Sequence, residues 1–256
     1  MNQMETNIQQ HPAFLNCKGK LICQLIGGSN LYGLTNKDSD TDYRGLFIAT
    51  DKKYITGFDT IESIVQTNEI DSTYYELSRY LKLLRKSNTQ VLEILFAPDS
   101  AFTYTTDLFK TLQNYRYRLI ESDVLKNSLK GYVFSEIRLA TGERSGQLGS
   151  KRKLAVAEFG FSPKNFVQIL RLCKVGIEFF KTGEYMVKVS DTDQAYHDFL
   201  MDIKNHPENF TCDQLTKIVN DMFHKLEDAM NNSKINFKFD AELASDIILA
   251  ARSLYC

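Results

Sequence analysis

Residues 27–45, from Gly27 to Gly45, read GGSNLYGLTNKDSDTDYRG. The run before them, Lys20 to Ile26 (KLICQLI), is a short β-prone stretch that Gly27-Gly28 stops. A strand thus delivers the chain to Gly28-Ser29, where the pattern predicts a helix start. Glycine lets backbone amides approach a phosphate closely. Serine adds a hydroxyl donor, and a helix N-terminus adds unpaired N–H groups with partial positive charge. A plain turn carries the same letters, so the triplet alone names no site. Eleven residues after Ser29 comes Asp40-Thr41-Asp42, which opens a second strand candidate, Asp42 to Ala49, with Gly45 a weak point inside it. Side chains two apart on a strand point to one face. Two carboxylates so placed suit a divalent cation, and magnesium favours a few carboxylate oxygens together with phosphate and water. A solvated loop or a helix cap would also read S-D-x-D.

Working outward, Ile61 to Ile70 is a third strand candidate that ends at Asp71. On a sheet with strands about 4.8 Å apart, Asp71 can lie beside Asp40 and Asp42. Glu69 would face the same side and is the alternative third carboxylate. Thr73 and Glu76 have capping-box spacing, and Leu77, Tyr80, Leu81 and Leu84 follow at helical spacing. A second helix is expected over Thr89 to Phe96, ended by Pro98. From Asp107 onward the pattern is almost entirely helical. Ser162-Pro163 is a helix start, Phe166, Ile169, Leu170, Cys173, Ile177 and Phe180 form one apolar stripe, and Gly183 is a stop. Further helices are expected at 192–205, 212–230 and 240–254. Thr141 to Lys153 (TGERSGQLGSKRK) reads as an exposed, mobile loop. The chain is therefore expected to be a small α/β unit followed by a larger helical one, with the boundary near residue 105.

Composition narrows the classes of function. The 256 residues include 31 Lys plus Arg against 32 Asp plus Glu, a net charge of −1, so any nucleic-acid contact must use a local patch. No apolar run approaches the roughly 20 residues that span a bilayer. The opening stretch, MNQMETNIQQHPAF, lacks the charged region and apolar core of a signal peptide. The 5 cysteines are scattered and form no CxxC pair, which speaks against a disulfide framework or zinc site and for a reducing cytoplasm. Cys23 and Cys173 fall in apolar patterns and read as core. Lys164 and Arg171 are seven residues apart on one predicted helix. Lys151-Arg152-Lys153 is a compact basic cluster suited to a nucleic-acid backbone. Tyr115-Arg116-Tyr117-Arg118 interleaves aromatic and basic residues, as stacking on unpaired bases would use.

Taken together, a strand, Gly28-Ser29, a spacer, Asp40-Thr41-Asp42 and a later Asp71 resemble the DNA polymerase beta-type nucleotidyltransferase superfamily. Gly28-Ser29, Tyr32-Gly33, Ser39-Asp40, Asp42 and Arg44-Gly45 are similar to the G-S-x-x-Y-G…S-D-x-D-x-R-G signature of its RlaP-like branch, predicted nucleotidyltransferases of phages and bacteria, some linked to RNA repair. The branch's later motif appears as LLRKSNTQVLEILFAP (Leu83 to Pro98), and its helical half as Lys164, Arg171 and Thr182-Gly183-Glu184. Gln168 stands where that branch has a histidine, and Thr41 is less apolar than its counterpart.

The resemblance implies an α+β fold, with a small mixed-sheet catalytic core over 1–105 and a helical substrate- and nucleotide-closing domain over 106–256. It implies Asp40, Asp42 and Asp71 as ligands of Mg²⁺ or Mn²⁺, with Asp71 also the base for an attacking hydroxyl. Gly28 and Ser29 would hold the β and γ phosphates of an NTP. Lys164 and Arg171 would reach that triphosphate, and Arg44 would pair with an acid or a phosphate. Lys151, Arg152 and Lys153 are candidates for binding the acceptor. The implied reaction moves an NMP from an NTP to a hydroxyl, an RNA or tRNA 3′ end, and releases pyrophosphate. Toxin-like transfer to a protein side chain, a non-catalytic nucleotide-binding module and a metal-dependent phosphodiesterase are the competing readings.

Overall fold

The computed structural model describes residues 8–37, 39–67, 70–143, 150–191 and 193–256. The first elements are α1 (Pro12–Asn16), β1 (Lys20–Ile26), α2 (Gly28–Tyr32), β2 (Tyr43–Ile48), α3 (Lys52–Ile55), β3 (Ser63–Gln66) and β4 (Ser72–Glu76). They are followed by α4 (Leu77–Arg85), α5 (Thr89–Leu95), β5 (Phe102–Thr105) and α6 (Asp107–Asn114). The five strands form one mixed sheet in the order β3-β4-β2-β1-β5. β2 and β4 run parallel, and the other pairs are antiparallel. This is the expected α+β class. β1 occupies the predicted span, and α2 starts where the Gly28-Ser29 reading put a helix. The helix stops at Gly33, whose left-handed backbone (φ 71°) a side chain would oppose.

Two expectations fail around Asp71. Residues 72–76 (STYYE) are a strand, not the first turn of a helix, so Thr73 and Glu76 form no capping box. Glu76 itself caps α4, its carboxylate accepting from the Ser78 N–H at 2.7 Å. The third predicted strand ends at Gln66, so Asp71 opens β4 instead of closing β3. β-branched and aromatic residues favour a strand at 72–76, but the leucine stripe of α4 follows without a break and masks the change of period.

The remaining elements are α7 (Ser122–Ala140), α8 (Ser150–Phe159), α9 (Pro163–Thr182), α10 (Gln194–Asn205), α11 (Cys212–Asn232) and α12 (Ala241–Tyr255). The apolar stripe read in α9 is buried throughout, and Gly183 ends the helix at φ 86°. Burial pushes the Cys173 thiol up to about 12, as expected of a core cysteine. Lys151, Arg152 and Lys153 stand in the first turn of α8, not in a loop. Residues 144–149 of the expected loop lie outside the described residues. No helix among the described residues is long and apolar enough to cross a membrane.

By packing, the chain forms two compact units, Met1–Ser122 with Phe237–Cys256, and Asp123–Asn236. The division near residue 105 proposed for function falls inside the first of them. α12 belongs to that first unit, where the Arg252 guanidinium donates to the Ile55 carbonyl at 3.0 Å. The first unit's two segments are tied together where the first stops and the second begins. The Ser122 N–H donates to the Phe237 carbonyl at 3.1 Å, and the Phe237 N–H donates to Ser122 Oγ at 3.0 Å. Within the sheet, Tyr74 donates from its hydroxyl to Gln24 Oε1 at 2.6 Å, and Gln24 donates to the exposed Thr103 Oγ1 at 3.0 Å, joining β4, β1 and β5.

Gly45, read as a weak point of β2, is instead a packing requirement. A Cβ there would collide with the Cys23 carbonyl oxygen and come within 2.7 Å of the Tyr74 ring. Gly45→Ala is expected to destabilise the protein by about 1–3 kcal/mol through this overpacking, read as a lower midpoint in urea unfolding followed by circular dichroism.

Candidate active site

Backbone pairing carries three chain segments to one end of the sheet. β1 and β2 pair through Ile26 and Tyr43, and just beyond them the Gly27 N–H donates to the Asp42 carbonyl at 2.7 Å. β2 and β4 pair through Tyr43 and Ser72, and the Tyr43 N–H donates to the Asp71 carbonyl at 2.9 Å. The turn after β1, the approach to β2 and the approach to β4 therefore adjoin. This parallel register sets Asp71 beside Asp42, a neighbour relation that the sequence places 29 residues apart.

Steric contact defines the geometry of the turn. Gly28 has φ +59°, and a Cβ there would fall on Asp42 Oδ2. The carboxylate thus fills the space that residue 28 leaves by lacking a side chain. Gly27 is constrained from another side, since its Cβ would stand 3.0 Å from both Cδ and Nε of Arg44. Ser29 is half-buried at the start of α2. Asp42 is half-buried and Asp71 exposed, and both line a cavity of about 210 Å³ with Arg44 and Thr73. Asp40 is exposed and does not line that cavity; it precedes β2 together with Asp42. Glu69 lies outside the described residues.

Among the described residues, no three His, Cys, Asp or Glu side chains gather closely enough to hold a metal ion. The donor chemistry nonetheless fits a hard divalent cation. Two carboxylates share one cavity, and a third lies two residues from one of them.

A buried network adjoins these acids; the sequence reading gives Arg44 a role as partner of an acid or a phosphate, and gives none to Glu93. Glu93 on α5 is 1% exposed and accepts from the Tyr32 hydroxyl at 2.6 Å. Burial works against the charge of Arg44, but the combined field of Tyr32, Glu93, Tyr75 and Asp42 outweighs it and raises the guanidinium pKa. Arg44 therefore stays cationic. The Tyr75 phenol is pushed up by its own burial, against the lowering effect of Arg44. The signal available in sequence was Glu93 itself, an acid inside the otherwise apolar helix TQVLEIL.

The other predicted positions separate. Lys164 is exposed near the start of α9, whereas Arg171 on the same helix is fully buried, its Nε donating to Gln168 Oε1 at 3.2 Å. The two do not share a solvent face. In α8, Lys153 is exposed and Arg152 half-buried. Tyr117 packs between Phe96 and Phe237, with ring centroids at 5.6 and 5.0 Å, so its ring is committed to the first unit's own packing. Arg118 lies over Tyr115 and pairs with Asp240.

A mixed sheet that brings a Gly-Ser turn and two aspartates to one end agrees with the polymerase beta-like nucleotidyltransferase superfamily. The chain belongs to the RNA repair pathway DNA polymerase beta family, RlaP, whose model matches residues 1–130. That span contains the whole sheet and the aspartates at its end. No match was found among curated proteins.

Tyr32→Phe removes the hydroxyl donor and leaves the buried Glu93 carboxylate short of a partner. The expected cost is about 1–3 kcal/mol of stability, measured by urea unfolding. Equal midpoints for variant and parent would show that the pair contributes nothing.

Proposed function

We propose that the chain is a metal-dependent nucleotidyltransferase. It moves an NMP from an NTP to the hydroxyl of an RNA or tRNA 3′ end and releases pyrophosphate. The observation that carries this reading is the seating of Asp42 on the side-chain-free Gly28 turn, with Asp71 beside it on the parallel strand. The RNA acceptor rests on the family's description as part of an RNA repair pathway.

Asp40, Asp42 and Asp71 would hold Mg²⁺ or Mn²⁺. Bound there, the cation would offset phosphate charge during the transfer. The chain's own groups supply the rest. Gly27-Gly28 lets the backbone approach the triphosphate, and Ser29 offers a hydroxyl and an amide to its β and γ phosphates. Arg44, kept cationic by the acids and phenols around it, adds fixed positive charge behind Asp42. Asp71, exposed on the cavity, accepts the proton of the attacking hydroxyl. The acceptor oxygen then bonds to the α-phosphorus in line with the bond that breaks to pyrophosphate. Lys164 has the exposure to meet a phosphate, and Arg171 does not. Lys151, Arg152 and Lys153 would guide the acceptor backbone.

The test incubates the purified chain with each α-labelled NTP, Mg²⁺ or Mn²⁺, total RNA and protein extract. Label is expected on nuclease-sensitive material, falling by about 10³-fold in Asp42→Ala. Gly28→Ala, which displaces the Asp42 carboxylate, is expected to slow transfer by about 10²-fold. Label on protease-sensitive material would move the acceptor to a protein side chain. Absence of both label and nucleotide binding would leave a non-catalytic module.

A further inference from the structure

The second unit contains a groove of its own, of about 800 Å³, within the range of ligand sites. α9 lines it with Lys174, Ile177, Glu178 and Lys181, which recur at i, i+3, i+4 and i+7 and so share one helix face. α11 supplies Met222, Lys225 and Ala229 in the same way. Tyr196 of α10 and the segment after α11 complete the lining.

The charges of this groove fall into two sets. The Lys174 ammonium is engaged, lying 3.0 Å from Asp193 and 3.3 Å from Glu178. Lys181, Lys225 and Lys234 are exposed and have no ion pair among the described residues. In all, four lysines (Lys174, Lys181, Lys225 and Lys234) face three acids (Glu178, Asp193 and Asp228), so the lining is net positive by one charge. Beneath it, Ile177, Phe180, Met222 and Ala229 form a buried apolar floor. Tyr196 directs its hydroxyl to the Leu170 carbonyl at 3.0 Å, and the Lys174 ammonium lies over its ring at 5.8 Å from the centroid, so the apolar floor is what remains for a ligand. A cationic rim above an apolar floor suits a ligand with both an anionic backbone and flat apolar faces.

We infer that this groove binds single-stranded RNA, with a base on the apolar floor and adjoining phosphates at Lys181, Lys225 and Lys234. The choice of RNA rests on the acceptor proposed above. A free nucleoside phosphate shares the same chemistry, and the experiment separates the two.

Binding of a fluorescent single-stranded RNA of about 8 nucleotides to the full chain is followed by anisotropy across a salt series. The triple variant Lys181→Ala, Lys225→Ala, Lys234→Ala is expected to bind at least about 10-fold more weakly. Its log K against log salt should flatten by about 2, at about 0.7 for each phosphate that a lysine no longer neutralises. All three lysines are exposed, so their removal leaves the packing intact. Asn232→Trp places a ring at the exposed edge of the groove, and should weaken binding without changing that slope. Asp42→Ala, inactive in transfer, should bind RNA as the parent does.

Unchanged RNA affinity in the triple variant overturns the inference, even where transfer to RNA is observed. Lysine-dependent binding of AMP with no binding of RNA also overturns it. Lysine-dependent RNA binding in a chain that labels only protein upholds the groove and refutes the RNA acceptor.

Discussion

Everything at the acid-bearing end of the sheet depends on two atoms that are missing. Residues 27 and 28 lack Cβ atoms, and their absence makes room for Arg44 on one and for the Asp42 carboxylate on the other. At Gly28 the demand is double, since the backbone is also left-handed there. A turn of this kind cannot relax around a side chain, because the strand pairing on both sides holds it. The Gly27 amide is tied to the Asp42 carbonyl, and the Tyr43 amide to the Asp71 carbonyl. The same hydrogen bonds that continue the sheet therefore set the separation of the acids.

Behind that end lies charge that the protein keeps away from water. A buried carboxylate and a largely covered guanidinium are costly to desolvate, and their neighbours must repay that cost. Here Glu93 has the Tyr32 hydroxyl, and Arg44 has the field of Glu93, two phenols and Asp42. Four elements are coupled by this arrangement: α2 through Tyr32, β2 through Arg44, β4 through Tyr75 and α5 through Glu93. Such a network resists partial rearrangement, because moving one member leaves another buried and unsatisfied. Through Arg44, which lines the cavity with Asp42 and Asp71, it reaches the acids.

Local rules were enough where local energies decide. KLICQLI followed by two glycines read correctly as β1, and Ser162-Pro163 with Gly183 bounded α9. The RlaP-like motifs gave the family because they concentrate in one stretch. Local rules failed at residues 72–76, where β4 pairs with β2 from 29 residues away and gains its stability from that partner. Asp71 does adjoin Asp42, but from the approach to β4 and not from the end of β3. Lys164 and Arg171 were expected to reach one triphosphate together, but heptad spacing shows which residues share a helix face and not which are covered, and Arg171 is buried. The role of Glu93 depends on Tyr32, 61 residues away, and no periodicity reports such a pair.

The first unit is built from both ends of the described chain, and this orders events in time. α12 packs with the sheet-bearing unit, and Arg252 bonds to Ile55 across 197 residues. During synthesis, residues 123–236 leave the ribosome before the last piece of the unit that precedes them. The first unit must wait, with the parts of α3 and α4 that α12 meets still open, while residues 123–236 are made. Closing so long a loop is slow, although each doubling of its length adds only about 0.6 kcal/mol. Nascent chains shortened before α12 would therefore carry the acids, the glycine turn and all five strands, yet lack the helix that finishes their fold.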